Sequence, residues 1–248
     1  MSRVLVVSND LVQPRMAGPG IRNLELARQL AGAGHEVTLS APGVPVVDDP
    51  RLAVCGHDEA GLRRLAATHD VILSQGWVLQ TFPFLRGGPA ALVVDLYDPF
   101  PLETLVAMAD APQAERTALQ DSQIEVLVEQ IRDGDHFLCA SERQRDYWLG
   151  ALTALGRINP HTYDADPTLR RLLDVVPFGI PEERPRHRAA AMRGVIPGIG
   201  ADDVVVLWGG GLYNWFDPLT LVRGVALAAE EVPSLRLVLH AARHPNPS

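Results

Sequence analysis

Residues 4–39 read VLVVSNDLVQPRMAGPGIRNLELARQLAGAGHEVTL. An apolar run at 4–7 stops at Ser8, Asn9 and Asp10, and a loop carrying Gly18, Pro19 and Gly20 follows. An amphipathic segment then predicts a helix over 21–31. Ile21, Leu24, Ala27, Leu30 and Ala31 share one broad face of it, with Arg22, Glu25 and Arg28 opposite. Gly32 and Gly34 should end this helix through left-handed backbone, and residues 37–40 start a second strand. Strand, loop, helix and strand in this order open a doubly wound α/β domain. Ligands on such sheets bind at the carboxyl ends of the strands, where the glycine loop falls.

Outward from this unit the alternation continues. Residues 52–55 form a weak strand, 59–68 a helix, and 70–74 (DVILS) a buried strand. Residues 91–95 (ALVVD) are another strand, ending in Asp95, Tyr97 and Asp98. Helical sequence runs from Leu102, breaks near Pro112 and resumes to about Arg132. It is followed by the strand DHFLCA at 135–140 and a helix over 141–152, where Ser141 with Gln144 makes a capping-box pattern. A short strand at 174–177 closes the region. Strands alternating with helices imply a mostly parallel sheet covered on both faces.

After Pro177 the pattern dissolves into a stretch rich in proline and arginine, a linker, and then restarts. Residues 203–208 (DVVVLW) read as a strand, Gly209, Gly210 and Gly211 as a tight loop, 218–231 as a helix and 235–240 as a strand. One β-α-β unit cannot bury both faces of a sheet. The expected organisation is therefore a Rossmann-like domain over 1–184, a linker over 185–202 and the truncated start of a second domain over 203–248.

Composition narrows the functional classes. Of the 248 residues, 47% are hydrophobic and 21% charged, ordinary for a soluble globular chain. A net charge of -8 speaks against a nucleic-acid binder held by phosphate contacts. All 22 basic residues are arginine, a bias that points to a GC-rich genome more than to a function. No signal peptide or membrane-length apolar run is visible, and Cys55 and Cys139 read as buried free thiols, so a cytoplasmic protein is expected. The eight histidines show no metal spacing: His240 and His244 straddle a strand end next to Pro245. No metal site and no cofactor are expected.

These motifs in this order resemble the family 4 retaining glycosyltransferases of GT-B architecture. The residues that carry the resemblance are Gly18 to Gly20 with IRNLELARQLAGAGHEVTL, then DHFLCAS at 135–141 followed by a helix. DVVPFGIP at 174–181 looks like the end of the family's amino-terminal domain, and VVVLWGGGLYNWFDPLTLVRGVALAAEEVPSLRLVLHA at 204–241 is similar to the start of its donor-binding domain. The resemblance implies an α/β fold of GT-B type and transfer of a sugar from a nucleotide-diphosphate donor with retention of configuration. The implied acceptor is a carbohydrate, lipid-linked or small; nothing indicates membrane association. Two departures stand out. Asn214, Trp215, Phe216 and Asp217 occupy the place where family members carry a basic residue for the diphosphate, and the family's paired glutamates would lie past Ser248. The chain as given is accordingly expected to be inactive alone. A sugar-nucleotide epimerase of the same fold and a non-catalytic nucleotide-binding or scaffolding domain are the competing readings.

Within this frame, Gly18 and Gly20, with Gly209, Gly210 and Gly211, are expected at the donor phosphates, since glycine lets a backbone approach a ligand and a helix amino terminus favours an anion. GPGIRN lacks the third glycine of a dinucleotide fingerprint. Asp95 and Asp98, at a strand's carboxyl end, are the expected catalytic carboxylates, able to bind sugar hydroxyls or accept a proton. Asn9, Asp10, Arg22, Tyr97, Ser141 and Arg143 are assigned to the acceptor. Ser141 also reads as a helix cap and Asp217 with Pro218 as another, both for structural reasons.

Overall fold

The structure is a computed structural model of the chain and describes residues 1–181, 183–213 and 216–240. The described residues fall into two compact units, Met1–Pro101 with Thr117–Phe178, and Leu102–Arg116 with residues 179–240.

The first unit is built on seven parallel strands: β1 (Arg3–Val7), β2 (Glu36–Ala41), β3 (Leu52–Gly56), β4 (Val71–Gln75), β5 (Ala91–Asp95), β6 (His136–Cys139) and β7 (Leu173–Val175). Their order is β3-β2-β1-β4-β5-β6-β7. The order reverses between β1 and β4, paired from Val4 with Val71 to Val7 with Ser74, and that reversal opens a crevice at the carboxyl ends. Period-two alternation in β1 feeds two cores. Val4 and Val6 pack with Val37, Leu39, Leu24 and Ala27 on one face; Leu5 and Val7 pack with Ile72, Val94, Phe137 and Trp148 on the other. A strand buried on both faces has to read as a continuous apolar run, as VLVV does.

Helix α1 spans Gly18–Gly32 and so starts three residues before the predicted Ile21. The glycine loop is the first turn of the helix, not a lead-in to it. At the far end Gly34 alone takes the left-handed conformation, with φ of 90°; Gly32 remains helical. The predicted face also turns. Ile21 is exposed, whereas Arg22 and Asn23 are buried with Leu24 and Ala27. The amino-terminal turn lies over strand ends that are polar, so polar residues go inward there. Only the later turns meet the apolar sheet.

Helix α2 is Glu59–Thr68, capped by Asp58 accepting from the Gly61 amide. The short α3 (Val78–Thr81) follows β4. The helical stretch predicted around Pro112 resolves into α4 (Phe100–Ala107) and α5 (Gln113–Asp133). Helix α6 (Glu142–Ala154) has Ser141 as its cap, and the short α7 (Pro160–Ala165) has a capping box between Asn159 and Thr162 that the sequence analysis does not pick out. The last strand covers 173–175 instead of 174–177, because Val176 donates only one further hydrogen bond, to the Cys139 carbonyl, as the strand is left.

In the second unit β8 (Val204–Trp208) pairs in parallel with β9 (Leu235–Leu239), joined by α8 (Pro218–Glu231). No residue of β8 enters the seven-stranded sheet. Asp217 caps α8 by accepting from the Thr220 amide, with Pro218 in its first turn, as predicted. It does so in the left-handed region, at φ 52°, which aspartate tolerates better than most side chains. Asn214, Trp215 and His244 lie outside the described residues.

Candidate functional site

The amino terminus of α1 has no side-chain cap. Ala17 occupies the cap position, Pro19 has no N–H, and the Ile21 amide is already bonded to the Ala17 carbonyl. The amides of Gly18 and Gly20 are thus the polar groups of a positively polarised helix end. The two glycines differ in kind. Space around a Cβ at Gly18 is open, whereas a Cβ at Gly20 would stand 2.5 Å from the Leu11 carbonyl oxygen and 3.3 Å from Met16 Sδ. Neither has a positive φ. Gly20 is needed so that the preceding loop can lie against the helix; Gly18 leaves room for something outside the chain.

One turn further on, Arg22 and Asp95 form a buried bidentate ion pair. Nε lies 2.5 Å from Oδ2 and NH2 2.9 Å from Oδ1, with side chains 2% and 0% exposed. The guanidinium also stands 5.0 Å from the ring centres of both Tyr97 and Phe178, and those rings meet edge to face at 5.4 Å. Burial raises the Asp95 carboxyl above its ordinary range, while hydrogen bonds from Arg22 and the Tyr97 amide pull the other way. Burial likewise pushes the Tyr97 phenol well up, although it is hydrogen-bonded to the Gln75 side chain. Asn23 Nδ2 donates to Gln75 Oε1 at 2.8 Å and to the Pro19 carbonyl at 2.9 Å, tying the network back to the glycine turn. Asn23 Nδ2 also lies 3.4 Å from the Ser8 hydroxyl, so three strand ends and one helix start are locked into a single polar cluster.

Of the residues assigned from sequence, Arg22, Asp95 and Tyr97 come together here, but they face each other. The carboxylate at Asp95 is enclosed by its arginine. Asp98, three residues on, is half-buried at the same edge. Asn9 and Asp10 are half-buried after β1. The Ser8 hydroxyl donates to the Asp10 carbonyl at 2.8 Å, and the Asn9 side chain lies against Gly76. Ser141 accepts from the Gln144 amide at 3.2 Å, and Arg143 is exposed on the first turn of α6. Gly209, Gly210 and Gly211 belong to the second unit. A Cβ at Gly209 would meet open space, whereas one at Gly211 would run into the Tyr213 ring. The Trp208 indole donates to the Gly211 carbonyl at 3.1 Å, so part of this loop serves its own packing.

The sequence analysis misses four residues. Gln75 ends an apolar strand just as Asp95 does, and that signal was available. Asn23 is a polar residue on a helix read for its apolar face, and that reading assigns it no role. Gln144 does more than cap: Oε1 accepts from the Ala140 amide and Nε2 donates to the Tyr97 carbonyl, each at 2.7 Å, fixing α6 to the loop after β5. Phe178 lies in an aperiodic stretch and carries no local signal. Among the described residues no group of three or more His, Cys, Asp or Glu is placed to hold a metal ion, and no helix is long and apolar enough to cross a membrane. Both cysteines are free; Cys139 is buried, and Cys55 is only half-buried.

No family model matches the sequence, and no curated protein does. Among solved structures, sucrose-phosphate synthase from Thermosynechococcus elongatus superposes with a TM-score of 0.56 at 14% identity, over 100% of this chain and 64% of that one. A glycotransferase of kitacinnamycin gives a TM-score of 0.42 at 15% identity, over 100% of this chain and 67% of that one. The chain thus spans less than two thirds of the length of the synthase. The first likeness covers every residue and shows the fold, an α/β chain of GT-B type with a Rossmann-like first unit.

Proposed function

We propose that this chain forms the acceptor-side domain and the beginning of the donor-side domain of a retaining glycosyltransferase, which moves a sugar from a nucleotide-diphosphate donor to a carbohydrate acceptor. The observation that carries the reading is the uncapped α1 terminus at Gly18, open to a ligand, set beside a strand-end cluster of carboxylates and an aromatic ring. Its fold-level likeness to a sucrose-phosphate synthase supports the class, and the motif resemblance supports retention.

In this reading the Gly18 and Gly20 amides face the donor diphosphate. Asp98 meets the acceptor hydroxyl, helped by Asn9, Asp10, Ser141 and Arg143. Asp95 works at one remove: it holds Arg22, which holds Tyr97 and Phe178. Catalysis is positioning of two substrates together with stabilisation of the departing diphosphate by helix-end amides, with no cofactor. The protein acts in the cytoplasm, where nucleotide sugars are made.

The test is a thermal-shift screen of the full-length protein against nucleotide-diphosphate sugars, followed by assay of transfer to carbohydrate acceptors. A ligand at 100 times its Kd adds about 2.7 kcal/mol. At roughly 2–4 °C per kcal/mol for a chain of this size, the expected rise is about 5–11 °C. A flat response to every nucleotide sugar overturns the reading. Binding with conversion of the donor in the absence of any acceptor would reassign the protein to the epimerases.

A further inference from the structure

The strand ends carry an aromatic pair outside the buried cluster. β4 closes on Gly76, whose left-handed φ of 57° turns the chain sharply. Trp77 follows, and 36% of it remains exposed while the next two residues, Val78 and Leu79, are buried. Its ring centre is 5.2 Å from that of Phe100, tilted by 52°. Phe100 begins α4 two residues after Asp98, so the pair joins the end of β4 to the loop after β5.

An exposed tryptophan alone means little. Three features set this one apart. A neighbouring ring steadies the indole, so its face is already held in place before anything binds. It stands at the carboxyl edge of the sheet, where ligands of doubly wound folds sit. A carboxamide is alongside: a Cβ on Gly76 would lie 3.2 Å from Asn9 Nδ2, so the Asn9 side chain fills the hollow just before Trp77.

We propose that Trp77, backed by Phe100, is the stacking platform for the sugar ring of the acceptor, with Asn9 hydrogen-bonding its hydroxyls; this rests on the glycosyltransferase reading above. One face of a pyranose presents C–H groups whose partial positive charge suits the negative face of an indole. The rim presents hydroxyls that both donate and accept, as an amide also does. A hydrocarbon chain would have no use for the amide.

The experiment compares wild type with Trp77→Ala, Trp77→Phe and Phe100→Leu, using methyl α- and β-glycopyranosides of glucose, galactose and mannose as probes in saturation-transfer NMR. In wild type at least one glycoside should receive saturation, strongest on the C–H protons of one ring face. Trp77→Ala should weaken that binding about 10-fold or more, by analogy with the loss of a stacked base. Trp77→Phe should retain most of it and Phe100→Leu should be intermediate. In turnover by the full-length enzyme, Trp77→Ala should raise the acceptor KM with the donor KM unchanged. If no glycoside binds wild type, or if Trp77→Ala and Trp77→Phe both bind like wild type, the platform is refuted. A rise in donor KM equal to that in acceptor KM refutes it too. Because the NMR readout needs no donor, absence of any response to nucleotide sugars would sink the glycosyltransferase reading separately. Should Trp77→Ala fail to fold, Trp77→Phe and Phe100→Leu decide.

Discussion

Replacing Arg22 by methionine tests whether the strand-end cluster is held by its buried ion pair. The substitution keeps the length of the side chain and removes the charge. Asp95, 0% exposed, would lose both hydrogen bonds from the guanidinium, at 2.5 and 2.9 Å, and keep only that of the Tyr97 amide. Breaking a buried pair on one side costs about 3–5 kcal/mol, because a charge is left in a poorly solvating place. Loss of the cation–π contacts to Tyr97 and Phe178, 5.0 Å each, adds roughly 0.5–2 kcal/mol. At about 2–4 °C per kcal/mol the midpoint should fall by roughly 7–28 °C. Asp95→Leu should cost a similar amount through the orphaned guanidinium. The double variant Arg22→Met with Asp95→Leu should be far less damaged than the sum of the two, since an apolar pair leaves no buried charge. Urea unfolding of wild type, both singles and the double closes this cycle. A single variant within 1 kcal/mol of wild type, or a double whose loss equals the sum, would refute the argument.

The glycine turn makes two opposite forecasts. Gly20→Ala puts a Cβ 2.5 Å from the Leu11 carbonyl and should cost about 1–3 kcal/mol of stability, read as a lower thermal midpoint. Gly18→Ala meets open space and should leave the midpoint unchanged or slightly higher, while Gly18→Val should weaken nucleotide-sugar binding in the same preparation; unchanged binding would remove Gly18 from the site. Two turn aspartates contribute to stability against acid. Asp49 is lowered to about 2 by the Arg51 side chain and amide, and Asp166 to about 2 by the Thr168 hydroxyl and the Arg171 amide. Both sit below the ordinary 3.8, so their contribution is complete above about pH 4 and is lost as the pH falls towards 2. Asp49→Asn and Asp166→Asn should therefore be less stable than wild type at pH 6, with the gap closing by pH 2; a gap that persists at pH 2 contradicts the assignment.

Sequence alone determined the strands of the parallel sheet and the separateness of residues 204–208. A strand buried on both faces must be apolar throughout, so VLVV, VILS and LVVD declare themselves without reference to any neighbour. Caps are equally local, and Ser141 and Asp217 were legible because an N-cap bonds only three residues ahead. The direction of Arg22 was decided by tertiary structure. Helical periodicity assumes an apolar floor, and beneath the first turn of α1 the floor is Ser8, Gln75 and Asp95. Charge pairing across 73 residues overrode the pattern. The same contact decided what Asp95 faces, since a carboxylate at a strand end reads alike whether it meets solvent or an arginine. Gly18 and Gly20 look equivalent in GPG, yet only the path of the loop back to Leu11 sets one against backbone and leaves the other open. Phe178 and Trp77 had no local signal at all, because an aromatic ring's role depends on which faces of its neighbours are left uncovered once the chain has folded.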